Sequence, residues 1–251
     1  MVQPDRTRRK FLAAIPLLAA MPFLPRRANA AGKQALVSGT VQPLKIGFIG
    51  SGQVGSTLAS FWVKANHPVM LSARSLSEAQ SVATRLGGGA TAGIPQQAAA
   101  FADVIVLAVP YGALPAVAKD LGAAVSGKIV LDVTNPYAWR DGGIATEAGR
   151  EGAGAVTARY FPQARIVRGF NSIAMTALRA GARETPPIAV PLAGNDQDAL
   201  AVICGLAREA GFEPVVTGDL ATAKLFQPGN PGFEAVTTAP ALRAVLGLKA
   251  S

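Results

Sequence analysis

Apolar residues recur in this chain as short unbroken runs separated by stretches of helical length. The runs are 44–50 (LKIGFIG), 68–73 (PVMLSA), 103–109 (DVIVLAV), 128–133 (KIVLDV), 164–170 (ARIVRGF), 187–194 (PIAVPLAG) and 213–218 (EPVVTG). A run without polar alternation belongs to a strand buried on both faces. Between the runs, helices are predicted over Gln53–Asn66, Ser77–Leu86, Leu114–Val125, Ala145–Tyr160 and Gln197–Ala210, with another from Leu220. Beyond Gln227 the chain is broken by Pro and Gly, and a further helical stretch is expected from Phe233. Buried strands alternating with helices predict an α/β fold, a doubly wound parallel sheet covered on both sides. The expected organisation is a leader over 1–30, a short lead-in over 31–43, a nucleotide-binding domain over 44–162, and a small C-terminal α/β lobe over 163–251 that completes a second-substrate cleft.

Composition changes this picture in two places. Half of the 251 residues are apolar, enough to bury a sizeable core, and the net charge is +9. Residues 1–30 hold +5 of that charge (Arg6, Arg8, Arg9, Lys10, Arg26 and Arg27 against Asp5), leaving an ordinary +4 for the rest. The remainder carries no basic stripe interleaved with aromatics, so no nucleic-acid partner is expected. Cys204 is the single cysteine, which rules out an intrachain disulfide, and it falls among apolar neighbours on a predicted helix. The single histidine, His67, lies in a turn entering the second strand and reads as structural. Nothing in the chain has metal-ligand spacing, so no metal site is expected.

The first residues have their own pattern. Thr7 to Ile15 reads TRRKFLAAI, and the apolar stretch Phe11 to Leu24 is interrupted by Pro16 and Pro22, too short and broken for a stable membrane span. Ala28-x-Ala30 offers a small-x-small cleavage site. Arg-Arg-x-Phe-Leu resembles the bacterial twin-arginine signal, which implies the twin-arginine export machinery as a partner and a periplasmic or otherwise exported location.

The strongest chemical signal is GSGQVG, Gly50 to Gly55, which ends a predicted strand and opens a predicted helix. In that context Gly50, Gly52 and Gly55 form a dinucleotide-binding turn. The backbone N–H groups of Ser51, Gln53 and Val54 would face a pyrophosphate at the positive end of the helix. About 20 residues on, where an NAD site wants a carboxylate, the chain reads LSARS. Arg74 suits a 2′-phosphate by its fork geometry, Ser72 and Ser75 can donate to it, and no acid precedes Glu78, so the expected cofactor is NADP. At the next strand ends, Ala108, Val109 and Pro110 are placed to wall the nicotinamide, and Thr134 and Asn135 to bond ribose or carboxamide.

KIGFIGSGQVGSTLA, LSARS, VIVLAVPYGAL, VLDVTNP, IVRGFNSI and the stretch from VPLAGNDQDA to LATAKLFQP together resemble the coenzyme F420-dependent NADP reductases, relatives of the pyrroline-5-carboxylate reductase N-terminal domain. The matching segments run from Lys45 to Pro228. The resemblance implies a Rossmann-type fold and a small-molecule substrate, with coenzyme F420 or a similar flat acceptor as co-substrate of NADP. It implies direct hydride transfer without a catalytic side chain, with Asn171 and Ser172 facing the second ring system. The chain departs from the family in having Glu78 where further basic help near the phosphate is common, and in its leader. Alternatives are a reductase of an imine, a flavin or a quinone-like compound, or a non-catalytic NADP-binding module. A homodimer is compatible with all of them.

Overall fold

The structure, a computed structural model, describes residues 43–180 and 184–249. The expected leader, with Arg8, Arg9 and the Ala28-x-Ala30 site, lies outside the described residues, as does the lead-in up to residue 42. The described residues form one compact unit.

Six parallel strands build the first part of the sheet: β1 (Ile46–Ile49), β2 (Val69–Ser72), β3 (Thr91–Ala92), β4 (Val104–Leu107), β5 (Ile129–Asp132) and β6 (Arg165–Gly169). β7 (Ala189–Gly194) runs antiparallel to β6, and β8 (Glu213–Gly218) parallel to β7. The spatial order is β3-β2-β1-β4-β5-β6-β7-β8. The segment expected as a small C-terminal α/β lobe, 163–251, contributes three strands to the same sheet.

Alternation persists inside the apolar runs, because each face of the sheet has its own core. Ile46, Phe48, Val104, Val106 and Leu131 pack on one face with α1 (Gln53–Lys64) and α9 (Gln197–Glu209). Ile49, Ile105, Leu107 and Val130 point the other way, toward α3 (Pro95–Phe101), α4 (Leu114–Leu121) and α7 (Ala153–Tyr160). On the first face Trp62 is fully buried between Phe48 and Phe170, with ring centroids 5.8 and 6.2 Å away. Its indole N–H donates to the Leu206 carbonyl at 2.9 Å, tying α1 to α9. His67 is structural: one ring nitrogen lies 3.1 Å from the Leu44 carbonyl and the other 2.7 Å from the Glu209 carboxylate.

Three local departures have identifiable causes. The single helix expected over Ala145–Tyr160 is two, α6 (Gly143–Glu151) and α7, because Gly152 sits between them at φ +92°. The Ala153 N–H freed by that break is accepted by Oε1 of Gln227 at 2.9 Å. Helix α2 (Leu76–Leu86) starts one residue earlier than expected, since Ser75 is its N-cap and accepts the Glu78 N–H. β3, α3, the four-residue α5 (Ala138–Asp141) and α8 (Met175–Ala180) were not marked by the apolar runs. α3 gives Gly47 its reason: a Cβ there would lie 2.2 Å from the Ala98 carbonyl oxygen.

The strand ends are held by a buried ionic knot. In the β5–β6 register Asp132 sits opposite Arg168, and both are fully buried. One Asp132 carboxylate oxygen accepts the Thr134 N–H (2.9 Å) and hydroxyl (2.6 Å), and the other accepts the Thr157 hydroxyl (2.7 Å) and Arg168 Nη1 (2.5 Å). Arg168 Nη2 donates to the Thr134 carbonyl at 2.8 Å. Four donors satisfy the carboxylate, which offsets the cost of taking it out of water. Beside it, burial and then the Asp132 charge push the Tyr111 phenol far up, keeping it protonated as a donor to the Ala153 carbonyl. Asp132→Ala strands a buried guanidinium, and chemical denaturation of that variant should show a loss of about 3–5 kcal/mol.

Candidate functional site

Parallel pairing continues past the strand ends and sets three turns side by side. Gly50 N–H donates to Ser72 O (3.1 Å), Ala108 N–H to Ile49 O (2.9 Å) and Val133 N–H to Leu107 O (3.2 Å). The 50–52, 108–110 and 133–135 turns thus emerge at the carboxyl edge of the sheet, where open α/β sheets bind ligands.

The three glycines do different work. At Gly50 φ is +105°, and an added Cβ would stand 2.3 Å from the Ala108 carbonyl oxygen. At Gly55 a Cβ would stand 2.3 Å from the Gly50 oxygen and 3.2 Å from the Ala108 Cβ, so this glycine lets α1 close on β1 and β4. Gly52 is the contrast: no atom lies within 4 Å of its added Cβ. It is the N-cap of α1, exposed, with no side chain capping the helix. The first helical N–H groups have no partner within the helix, and the space above Gly52 is open. Half-buried Ser51 and Val54 and exposed Gln53 surround it. A dinucleotide pyrophosphate fits this cradle, which offers backbone donors and excess positive potential.

At the end of β2, Arg74 is exposed and has no ion pair or hydrogen bond to the rest of the described chain. Ser75 is exposed, accepts the Glu78 N–H at 3.2 Å and lies 3.1 Å from the Ser77 hydroxyl. Ser72 corrects an expectation: it is fully buried and donates its hydroxyl to the Phe48 carbonyl at 2.7 Å, so it has no proton for a phosphate. Thr134 corrects another. Its hydroxyl proton is committed to Asp132 and the residue is 3% exposed, leaving no donor for a ribose or carboxamide.

Ala108 and Val109 are half-buried and Pro110 exposed, a small apolar shoulder beside the glycine turn. Asn135 and Asn171 join the β5 and β6 ends: Asn135 Nδ2 donates to the Asn171 carbonyl (2.6 Å), and Asn171 Nδ2 to Asn135 Oδ1 (3.2 Å) and the Phe226 carbonyl (3.0 Å). Asn171 follows Phe170, whose φ of +59° turns the chain out of β6. Its Oδ1 is buried and has no partner. An unpaired buried amide oxygen is costly, and an amide donor such as a carboxamide N–H would satisfy it. Asn171 and Ser172, both expected to face the second ring system, are only 4% and 3% exposed, and the Ser172 carbonyl accepts the Glu234 N–H at 2.7 Å.

Sequence reasoning missed Asp132 and Arg168, although a lone arginine inside a buried strand calls for a carboxylate on the neighbouring one. It also missed Tyr137, Trp139 and Arg140 just after Asn135. Among the described residues, no group of three or more His, Cys, Asp or Glu side chains is arranged to hold a metal ion, and no helix is long and apolar enough to cross a membrane.

Residues 45–136 match the family described as NADP oxidoreductase, coenzyme F420-dependent. Over 187 residues the chain is 30% identical to the rat metalloreductase STEAP3, covering 72% of this chain but only 35% of that protein. It is 29% identical over 208 residues to the F420-dependent NADP reductase of Methanothermobacter thermautotrophicus, covering 76% of this chain and 88% of the relative. A solved structure of a hypothetical protein from Sinorhizobium meliloti superposes with a TM-score of 0.66 at 26% identity, covering 78% of this chain and 95% of that one.

The open space at Gly52 gives a clean test. Gly52→Val should fold with near wild-type stability yet lose NADPH binding in a nicotinamide-fluorescence titration, whereas Gly55→Val should fail by unfolding. The chain is thus similar to NADP oxidoreductases of the coenzyme F420-dependent type, the likeness to the family model running over residues 45–136.

Proposed function

We propose that this protein transfers a hydride between NADP(H) and coenzyme F420 or a similar flat heteroaromatic acceptor. The observation that carries the reading is the open cradle above Gly52 beside an exposed, unpaired Arg74, in a chain whose residues 45–136 match the F420-dependent NADP oxidoreductases. Bound NADPH supplies a hydride, two electrons with one hydrogen, and a proton from solvent completes the reduction of the acceptor. The protein's own part is to bind and orient. Backbone N–H groups at 51–54 hold the pyrophosphate, Arg74 with Ser75 holds the 2′-phosphate, and Asn171 Oδ1 fixes the carboxamide. The polar side chains at the strand ends support this division of labour. Ser72, Thr134 and Asp132 are spent on internal hydrogen bonds, so none of the three is free to protonate a substrate oxygen.

The direct test mixes purified protein with NADPH and F420 and follows both chromophores. Stoichiometric bleaching of the two supports the reading. Brisk reduction of a simple ketone or imine with no transfer to F420 or FMN would replace it. Arg74→Ala should cost about 1.5–3 kcal/mol of NADPH affinity, the scale of a hydrogen bond to a charged group, and leave NADH affinity unchanged; equal losses would show that Arg74 does not read the phosphate.

The same proposal includes export by the twin-arginine route, supported by Arg8, Arg9, Phe11 and Leu12 in sequence. A backbone-built nucleotide site exists only after folding, so a cofactor loaded in the cytoplasm would have to travel inside folded protein. Replacing Arg8 and Arg9 together by Lys should hold the protein in the cytoplasm in a fractionation experiment; normal export of the double variant would sink this part.

A further inference from the structure

Directly after Asn135 the chain builds an aromatic cluster that the nucleotide site leaves unused. Tyr137 and Trp139 stack with ring centroids 5.9 Å apart and planes at 29°. The Arg140 guanidinium lies 5.0 Å from the Tyr137 centroid and 5.9 Å from that of Trp139. Trp139 is 82% exposed, while the other exposed large apolar side chains range from 39% to 47%. Leaving an indole in water forgoes a large burial gain.

This exposure is held in place. Arg140 forks onto Asp141, with Nε 2.9 Å from Oδ1 and Nη2 2.8 Å from Oδ2, and Nη2 also donates to the Asn135 carbonyl at 2.7 Å. Asp141 further accepts the Tyr137 N–H (2.9 Å) and the Gly112 N–H (3.0 Å), and its side chain is 1% exposed. Burial pushes the Asp141 carboxyl up, but the Arg140, Tyr137 and Gly112 hydrogen bonds outweigh it and hold the group below the usual carboxylate range. The cluster is therefore tied to the 133–135 turn at Asn135 and, through Gly112, to the segment two residues beyond Pro110. Arg140 Nη1 has no hydrogen-bond partner among the described residues.

We propose that the outer face of Trp139, backed by Tyr137 and flanked by Arg140, is the seat for the ring of the acceptor, a flavin- or deazaflavin-class heteroaromatic with an anionic side chain. An indole face stacks well on a flat electron-poor ring, and the free edge of Arg140 is a donor for a phosphate on the same molecule. A protein interface is a poorer fit, since it needs roughly 800 Å² from each partner and this cluster spans only residues 137–141. The proposal rests on the flat-acceptor reading above and adds where that acceptor is read.

The chain has two tryptophans, Trp62 fully buried and Trp139 exposed, so the site carries its own reporter. In the full-length protein, titration with FMN and with F420 should quench the Trp139 emission saturably. Trp139→Ala should remove that quenching and weaken binding of the quenching ligand about tenfold or more, the scale of a lost stacking contact, as read by polarisation of the ligand's own fluorescence. Trp139→Phe should recover most of the affinity, and NADPH affinity should be the same in all three proteins. Equal ligand affinity in wild type and Trp139→Ala would overturn the seat while leaving the hydride-transfer reading standing. Wild-type protein that binds NADPH but neither FMN nor F420 would overturn both. Trp139 emission that tracks protein concentration, together with dimer formation in sedimentation, would assign this face to a second copy and overturn the seat.

Discussion

The pairing of Asp132 with Arg168 is the constraint from which the rest of the site follows. Two charges removed from water are stable only if nearly every lone pair and proton finds a partner. Here four donors converge on one carboxylate, drawn from β6, from α7 and from the turn after β5. The knot fixes the relative position of three elements in a way that apolar packing alone, tolerant of small shifts, does not. Its single defect is Arg168 Nε, which has no partner.

From that knot the geometry passes outward to the ligand edge. Thr134 is held by both its N–H and its hydroxyl, so Asn135 leaves the strand in a set direction and meets Asn171. Asn171 in turn reaches the Phe226 carbonyl, bringing the last part of the chain to the same edge. Arg140 returns to the Asn135 carbonyl and carries the Tyr137–Trp139 stack with it. The polar side chains closest to the strand ends are thereby consumed in holding one another. What is left unspent is backbone N–H, an open space over Gly52 and an exposed arginine. Those are groups that bind and orient, suited to a reaction whose chemistry resides in its cofactor.

A second, apolar linkage joins α1 to β1, to the end of β6 and to the start of β8. Trp62 on α1 packs on Phe48 of β1 and on Phe170 at the end of β6, and Phe170 packs edge-on to Phe212 at 5.7 Å. The helix that would receive the pyrophosphate is thus buttressed by the region expected as a small C-terminal lobe. The indole N–H to Leu206 adds a directional bond to that contact. A nucleotide site built on such an element is rigid because its support comes from strands far apart in sequence.

The amino-acid sequence by itself determined the seven longer strands, the parallel α/β class, the glycine turn and the absence of an acid after β2. Each of these is local: an unbroken apolar run, a three-glycine spacing or a missing charge can be read without knowing what lies across the sheet. It did not determine β3 or α3, because a two-residue strand and an alanine-rich helix lack a distinctive periodicity, and Gly47 acquires its meaning only when Ala98 is found against it. Nor could it say that Ser72 and Thr134 face inward, since a hydroxyl at a strand end serves equally a ligand or a neighbour; the Phe48 carbonyl and the Asp132 carboxylate, brought close only by the register, decided the matter. Trp139 is the same lesson inverted. In sequence it is one more aromatic in a turn, and only the tertiary structure, which pins Arg140 and Asp141 behind it, shows that its face is held toward water by design of the surrounding bonds.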